Sequence, residues 1–203
     1  MKKIIGISGK IGSGKDTFAE ILAKKLNSKV ERHAMADKLR LITETITGVK
    51  MTITHEKGQP FCNEIRNYTQ EQKNIFLPQY NKTVGEILQL LGTELFRFKF
   101  DEDIWVKSLF DEELNGKLNN GIIIIIPDVR FINEANYILE HGGIMIRLEG
   151  DPMCVRENST RNLNHISEIE LDNYQKFNKI INNNNGINNL YKSVDETISE
   201  FSL

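Results

Sequence analysis

A chain of 203 residues is long enough for one domain with a sizeable core, and 39% hydrophobic and 27% charged residues with 14 Gly and 4 Pro exclude a collagenous, proline-rich or wholly disordered polymer. Lys and Arg total 26 against 28 Asp and Glu, a formal net charge of -2, which lacks the basic excess of a surface that binds polymeric nucleic acid. A local cluster for one or two phosphates is compatible with that balance.

The first predicted element is the Ile-rich run Lys3 to Ser8, which breaks at Gly9 and reads as a buried strand. From Lys15 onward Phe18, Ile21, Leu22 and Leu26 fall at helical spacing, with Glu20, Lys24 and Lys25 on the other face. A short strand is expected at Val30 to Ala34 and a second helix at Ala36 to Ile46, stopped by Gly48. Val49 to Tyr80 shows no clean period. Thr83-Val84-Gly85-Glu86 has capping-box spacing and opens a helix through Val84, Ile87, Leu88, Leu91 and Leu95. Another helix is predicted from Asp103 to Leu114, then a turn over Asn115 to Gly121. Five isoleucines, Ile122 to Ile126, leave no polar face and predict a strand covered on both sides. A helix at Phe131 to Glu140, strands at Ile144 to Leu148 and Phe177 to Ile181, an Asn-rich loop over 182–189 and a helix from about Leu190 to Phe201 complete the order. Strands alternating with helices predict a parallel α/β sheet with helices on both faces, whose ligands bind beyond the carboxyl ends of the strands.

Cys62 and Cys154 lie far apart and match no metal spacing, as expected of free thiols in a reduced compartment, and His33, His55, His141 and His165 show no metal pattern either. The apolar run after Met1-Lys2-Lys3 stops at Ser8, so no signal peptide is expected, and no run is long enough for a membrane span. A cytoplasmic protein follows.

Gly9-Lys10-Ile11-Gly12-Ser13-Gly14-Lys15-Asp16-Thr17 fits GxxxxGK between a strand and a helix. Glycines let successive N–H groups face one anion, the helix presents its positive end, and Lys15 adds a mobile charge, a geometry that holds a nucleotide β-phosphate. Asp16 stands where Ser or Thr is usual, and the first hydroxyl comes at Thr17. Asp16 either joins a Mg²⁺ shell, with Thr17 acting through a bound water, or is a favourable first-turn acid.

Pro127-Asp128-Val129-Arg130 follows the isoleucine strand and puts an acid and a cation beyond its end. They read as an acid near the metal or the acceptor and a phosphate-binding arginine, or as a solvated turn with a local ion pair. Arg156 and Arg161 lie in a polar connection after a strand, where they neutralise transferring charge or simply decorate a surface loop. Arg147, within an apolar strand, reads as structural or paired. Lys38 and Arg40 open the second helix, facing either an anionic acceptor or solvent. Trp105, the sole Trp, either packs in the core or stacks on a base.

Taken together, Ser13 to Thr17, Ala36-Asp37-Lys38-Leu39, Leu88 to Glu94 followed by Arg97 and Trp105, and Asp128 to Glu134 resemble the deoxynucleoside monophosphate kinases of large DNA viruses and phages. The resemblance runs from Ile4 to about Glu168. It implies a three-layer P-loop kinase fold in a single domain over 1–203, with a helical acceptor-binding insert at about 36–114 and a short lid at about 151–165. The implied reaction is ATP plus dNMP giving ADP plus dNDP with Mg²⁺. Gly12, Ser13, Gly14, Lys15, Asp16 and Thr17 would bind ATP, and Asp37, Lys38, Arg97, Trp105, Asp128, Arg130 and Glu134 would surround the acceptor. Lys15, Arg130, Arg156 and Arg161 would act on the transferring group. Members of the family can carry a basic residue where Ile11 stands. Phosphomevalonate kinase and dephospho-CoA kinase share parts of the pattern and keep another small acceptor open. A P-loop switch is the remaining alternative, but Asn81-Lys82-Thr83-Val84 lacks the acid of a guanine-reading motif. Partners are then small molecules, in the host cytoplasm if the protein is viral, with a homodimer left open by analogy with P-loop kinases of this size.

Overall fold

The structure, a computed structural model, describes residues 4–26, 30–54, 65–156 and 163–203. Its main sheet has five parallel strands in the order β2-β7-β1-β8-β9: β1 Ile4–Gly9, β2 Val30–Arg32, β7 Ile123–Ile126, β8 Ile144–Glu149 and β9 Lys179–Asn182. The all-isoleucine strand lies between β2 and β1, and its residues are divided between the two faces. Ile123 and Ile125 join Ile5, Ile7, Phe18, Leu22, Leu190 and Val194 under helices α1 (Lys15–Lys25) and α9 (Ile187–Phe201). Ile124 and Ile126 join Ile4, Met35, Leu39, Trp105, Val129 and Ile138 under α2 (Asp37–Thr47), α5 (Ile104–Leu109) and α7 (Ile132–Glu140). This is a three-layer α/β fold with helices on both faces of a parallel sheet.

Where the sequence has no clean period, over 49–80, and just beyond it, the described residues form two small antiparallel pairs, one short α-helix and a 3-10 turn at Pro78–Tyr80. The first pair is β3 Thr52–Thr54 with β4 Ile65–Asn67, the helix is α3 Gln70–Lys73, and the second pair is β5 Phe76–Leu77 with β6 Lys82–Thr83. Met51, Tyr68, Leu77, Val84 and Ile87 make a separate small core there. Such short strands carry too few residues to register a period. The capping box is formed: Thr83 Oγ1 accepts from Glu86 N at 3.2 Å, and Thr83 N donates to the Glu86 carboxylate at 2.7 Å. It opens α4 (Val84–Gln89), which widens into π-helical turns over Leu90–Phe100. Inside the widened stretch Trp105 Nε1 donates to Gly92 O at 2.8 Å, and an outside donor on a helix carbonyl is the kind of intrusion that accompanies such geometry.

The single helix expected from Asp103 to Leu114 is two helices, and the turn expected at Asn115 to Gly121 is mostly helical. After α5, Asp111 takes an extended conformation and its side chain accepts from Leu114 N at 3.1 Å, capping α6 (Glu112–Asn119). An aspartate at that place starts a new helix more readily than it continues an old one. Helix α9 begins at Ile187, three residues before the sequence-based start, behind Gly186 at φ 79°. No described helix is long and apolar enough to cross a membrane.

Helix α7 packs on β1 where the strand has Gly6. An added Cβ there would overlap Met145 Sδ and come within 2.7 Å of Ile138 Cδ1. Gly6→Ala is therefore expected to lower unfolding stability by about 1–3 kcal/mol in urea titration. Unchanged stability would contradict this packing.

Candidate nucleotide and acceptor sites

The loop after β1 turns through Gly12 at φ 81° and Gly14 at φ 84°, conformations that side-chain-bearing residues rarely adopt. Both sites are also crowded from outside. A Cβ at Gly12 would overlap Asp151 Oδ1, and one at Gly14 would overlap Asn183 Nδ2. Asn183 is buried and donates to Ser13 O at 3.0 Å, so the Asn-rich segment braces the loop from beneath. Helix α1 starts on Gly14 with no side-chain cap, which leaves its positive end for an anion at the loop. Lys15 is 9% exposed, Asp16 and Thr17 are exposed, and Ser13 Oγ is buried without a hydrogen-bond partner. The cradle fits phosphate.

Three further cations meet this loop or the strand end before it. Lys10 Nζ lies 2.6 Å from Asp172, which also takes Arg147 at 2.8 Å, and Arg147 donates to Ser8 Oγ at 3.1 Å. Arg147 is thus paired, as its place in a strand suggests. Arg156 donates through Nε to Ile11 O at 3.0 Å and through Nη2 to Gly150 O. Asp151 accepts from Val155 N and Arg156 N, both at 2.9 Å, and those N–H groups hold its carboxyl below the usual range. Arg161, the other arginine of that connection, lies outside the described residues, as do Cys62 and His55.

Beyond the end of β7 lies a cleft of about 440 Å³, within the range of small-ligand sites. Leu39, Arg40, Trp105, Asp128, Arg130 and Glu134 are among its lining residues. Asp128 ties β7 to the start of α2, accepting from Met35 N at 3.0 Å and Arg40 Nη2 at 3.4 Å. Arg40 Nη1 also pairs with Asp37 at 2.9 Å, and Asp37 caps the turn by accepting from Ala34 N at 2.8 Å. Burial raises the Asp37 carboxyl above its ordinary value, against the pull of Arg40 and the Ala34 N–H. Arg130 Nη1 donates to Glu168 and to Ser167 O at 3.2 Å. Burial would lower the Arg130 guanidinium, but Glu168, helped by Asp128 and Glu134, outweighs it and holds the group above its usual value.

Of the sequence candidates, Trp105, Asp128, Arg130 and Glu134 are brought together in this cleft. Trp105 is both core and wall: it is 5% exposed and packs edge-on to Phe96 at 5.5 Å between ring centroids. Lys38 is not in the cleft. It faces a smaller cavity of about 220 Å³ on the other side of α2, donating to Ser108 O at 2.6 Å and to Asp111 at 3.0 Å. Arg40 takes the place facing the cleft, and two residues along a helix turn the side chain to nearly the opposite face. Arg97 is not in the cleft either. It is 4% exposed behind the wall, pairing with Glu134 at 2.6 Å, donating to Glu102 O at 2.7 Å and Asn133 at 3.0 Å, and lying 3.7 Å over the Phe131 ring. Gln89, Thr93, Glu168 and Ser167 also line the cleft, and only hydrogen bonds between distant segments reveal the last two.

Comparison with known proteins adds independent findings. A family model described as deoxynucleotide monophosphate kinase matches residues 41–194. A putative deoxynucleotide monophosphate kinase of Acanthamoeba polyphaga mimivirus is 26% identical over 214 residues, covering 98% of this chain and 97% of the relative. The deoxynucleoside-5'-monophosphate kinase of Escherichia phage T5 is 25% identical, covering 94% and 93%. Among solved structures, a shikimate kinase from Bacteroides thetaiotaomicron superposes with TM-score 0.48 and 16% identity over 98% of both chains. A dephospho-CoA kinase from Campylobacter jejuni gives 0.47 and 18% over 100% of this chain and 98% of that one. The fold class rests on the sheet order itself.

Glu134 offers a physical test of the wall. Its carboxyl accepts from Arg97, from Arg130 N at 2.8 Å and from Phe131 N at 3.2 Å, yet burial pushes it up to about 7 against those donors, with Asp128 adding to the rise. A raised folded-state value means that its stabilising contribution is full below the ordinary 4.5 and is lost as pH rises toward about 7. The unfolding free energy of the native chain relative to Glu134→Gln is expected to fall by about 3 kcal/mol over that window and then level. A difference that does not vary with pH would contradict it.

Proposed function

The chain belongs to the deoxynucleotide monophosphate kinase family, and we propose that it transfers the terminal phosphoryl group of ATP to a deoxynucleoside monophosphate, giving ADP and a deoxynucleoside diphosphate. The observation that carries this reading is the meeting of two phosphate-suited features at one end of the sheet. The glycine loop follows β1, and the cleft with Arg40 and Arg130 follows the neighbouring β7. Brought side by side, they allow a donor and an acceptor phosphate to face each other in line.

An acceptor phosphate is already anionic near neutral pH, so no general base is needed to make it a nucleophile. Its oxygen bonds to the γ-phosphorus as the bond to the ADP oxygen breaks, and the protein contributes position and charge. Gly12, Ser13, Gly14 and the N-terminus of α1 hold the β-phosphate, and Lys15 follows the charge onto the moving group. Arg40 and Arg130 hold the acceptor phosphate. Asp128 and Asp37 fix Arg40, and Trp105 forms a wall for the nucleoside. Arg156, held on Ile11 O beside the loop, would act from a short lid at about 151–165, and the acceptor insert would span about 36–114. Asp16 and Thr17 would hold Mg²⁺ at the loop, where the ion would neutralise charge on the β- and γ-phosphates.

The test is ADP release, with dTMP, dGMP, dCMP, dAMP, phosphomevalonate and dephospho-CoA offered in turn. Turnover with at least one deoxynucleoside monophosphate is expected, and Lys15→Ala should lower it by about a thousandfold or more while the circular dichroism spectrum is retained. Turnover only with a non-nucleotide acceptor, or a fully active Lys15→Ala, would overturn the assignment.

A further inference from the structure

The segment after His165 carries a carboxylate that lines the cleft. Helix α8 (Ile166–Ile169) seats itself against the start of α7 through two acids: Glu170 accepts from Ile132 N at 2.8 Å, and Glu168 takes Nη1 of Arg130. Glu168 is 7% exposed. A carboxylate so deep beside a site for an anionic substrate needs a reason, because it repels the phosphate that the cleft is built to attract.

The hydrogen bonds of Arg130 supply that reason. Its backbone N–H is held by Glu134, and its Nη1 is held by Glu168 and Ser167 O. Among the described residues its Nε and Nη2 donate to nothing, and the side chain lines the cleft. One edge of the planar guanidinium is therefore clamped from α8, and the other is left for a ligand. Guanidinium donors form a rigid fork suited to two oxygens of one phosphate, so fixing one edge fixes where the second points. A free arginine side chain would lose rotamer freedom on binding. Clamping it beforehand removes much of that loss.

We propose that Glu168 is a positioning residue that aims the free Nε and Nη2 edge of Arg130 at the phosphate of the acceptor. The inference rests on the reading of the cleft as the acceptor site. It assigns to α8 a part in acceptor recognition, beyond docking on α7, and the effect of Glu168 on the acceptor runs through Arg130.

A double-mutant cycle tests it, with steady-state kinetics on the best deoxynucleoside monophosphate and thermal melts of every variant. Glu168→Ala should raise the acceptor KM about tenfold and leave the ATP KM within about twofold. In an Arg130→Ala background the same change should add less than about twofold. Glu168→Gln keeps an oxygen that accepts from Arg130 and should recover most of the loss. It also carries the test if the alanine variant melts early, because the residual rise in acceptor KM that it leaves must vanish in the Arg130→Ala background. Equal losses in both backgrounds, an equal rise in the ATP KM, or a lower acceptor KM in Glu168→Gln would overturn the role of Glu168 alone. Absence of turnover by the native chain with any deoxynucleoside monophosphate would instead overturn the acceptor reading, and the proposal with it.

Discussion

Four consecutive isoleucines in β7, each buried, give that strand no side that tolerates water. Apolar cover must come from both faces, and each pair of alternate residues commits one layer of helices. With β2 on one flank and β1 on the other, all parallel, the ends of β1 and β7 open at the same edge of the sheet. The glycine loop and the Asp128 to Arg130 turn are neighbours for that reason. The site is a consequence of the core rather than an addition to it.

Around this edge five cations are matched to carboxylates. Arg40 pairs with Asp37 and Asp128, Arg97 with Glu134, Arg130 with Glu168, and Lys10 and Arg147 with Asp172. Buried ion pairs contribute little net stability, because desolvation offsets most of the attraction. Their value here lies in direction: each acid fixes where a guanidinium or an ammonium points. The near-neutral composition of the chain fits such matched pairing, which attracts a small polyanion at one place without a broadly basic surface.

Much of this was legible in the residues. A glycine loop between a strand and a helix, and an acid just past an all-isoleucine strand, carry their mechanism in local order, and the structure has both where the spacing puts them. Less legible was anything decided by partners remote in sequence. Arg97 reads as a cleft residue until Glu134, 37 positions away, is seen to draw it behind the wall. Lys38 and Arg40 are equivalent in sequence, and only the packing of α2 decides which one turns to the cleft. Glu168 and the brace from Asn183 to Ser13 O, 170 positions apart, have no local signature at all.

On the proposed function, a donor at the β1 loop and an acceptor in the cleft beyond β7 meet phosphate to phosphate. The most direct measurement is a crystal structure with a bisubstrate analogue in which adenosine and a deoxynucleoside are joined through their 5'-oxygens by five phosphates. The account predicts the adenosine-side phosphates on Gly12 to Lys15, the deoxynucleoside between Leu39 and Trp105, and the phosphate next to it on Arg40 and on the Nε and Nη2 edge of Arg130. A deoxynucleoside bound outside that cleft, with Arg40 and Arg130 making no phosphate contact, would contradict it.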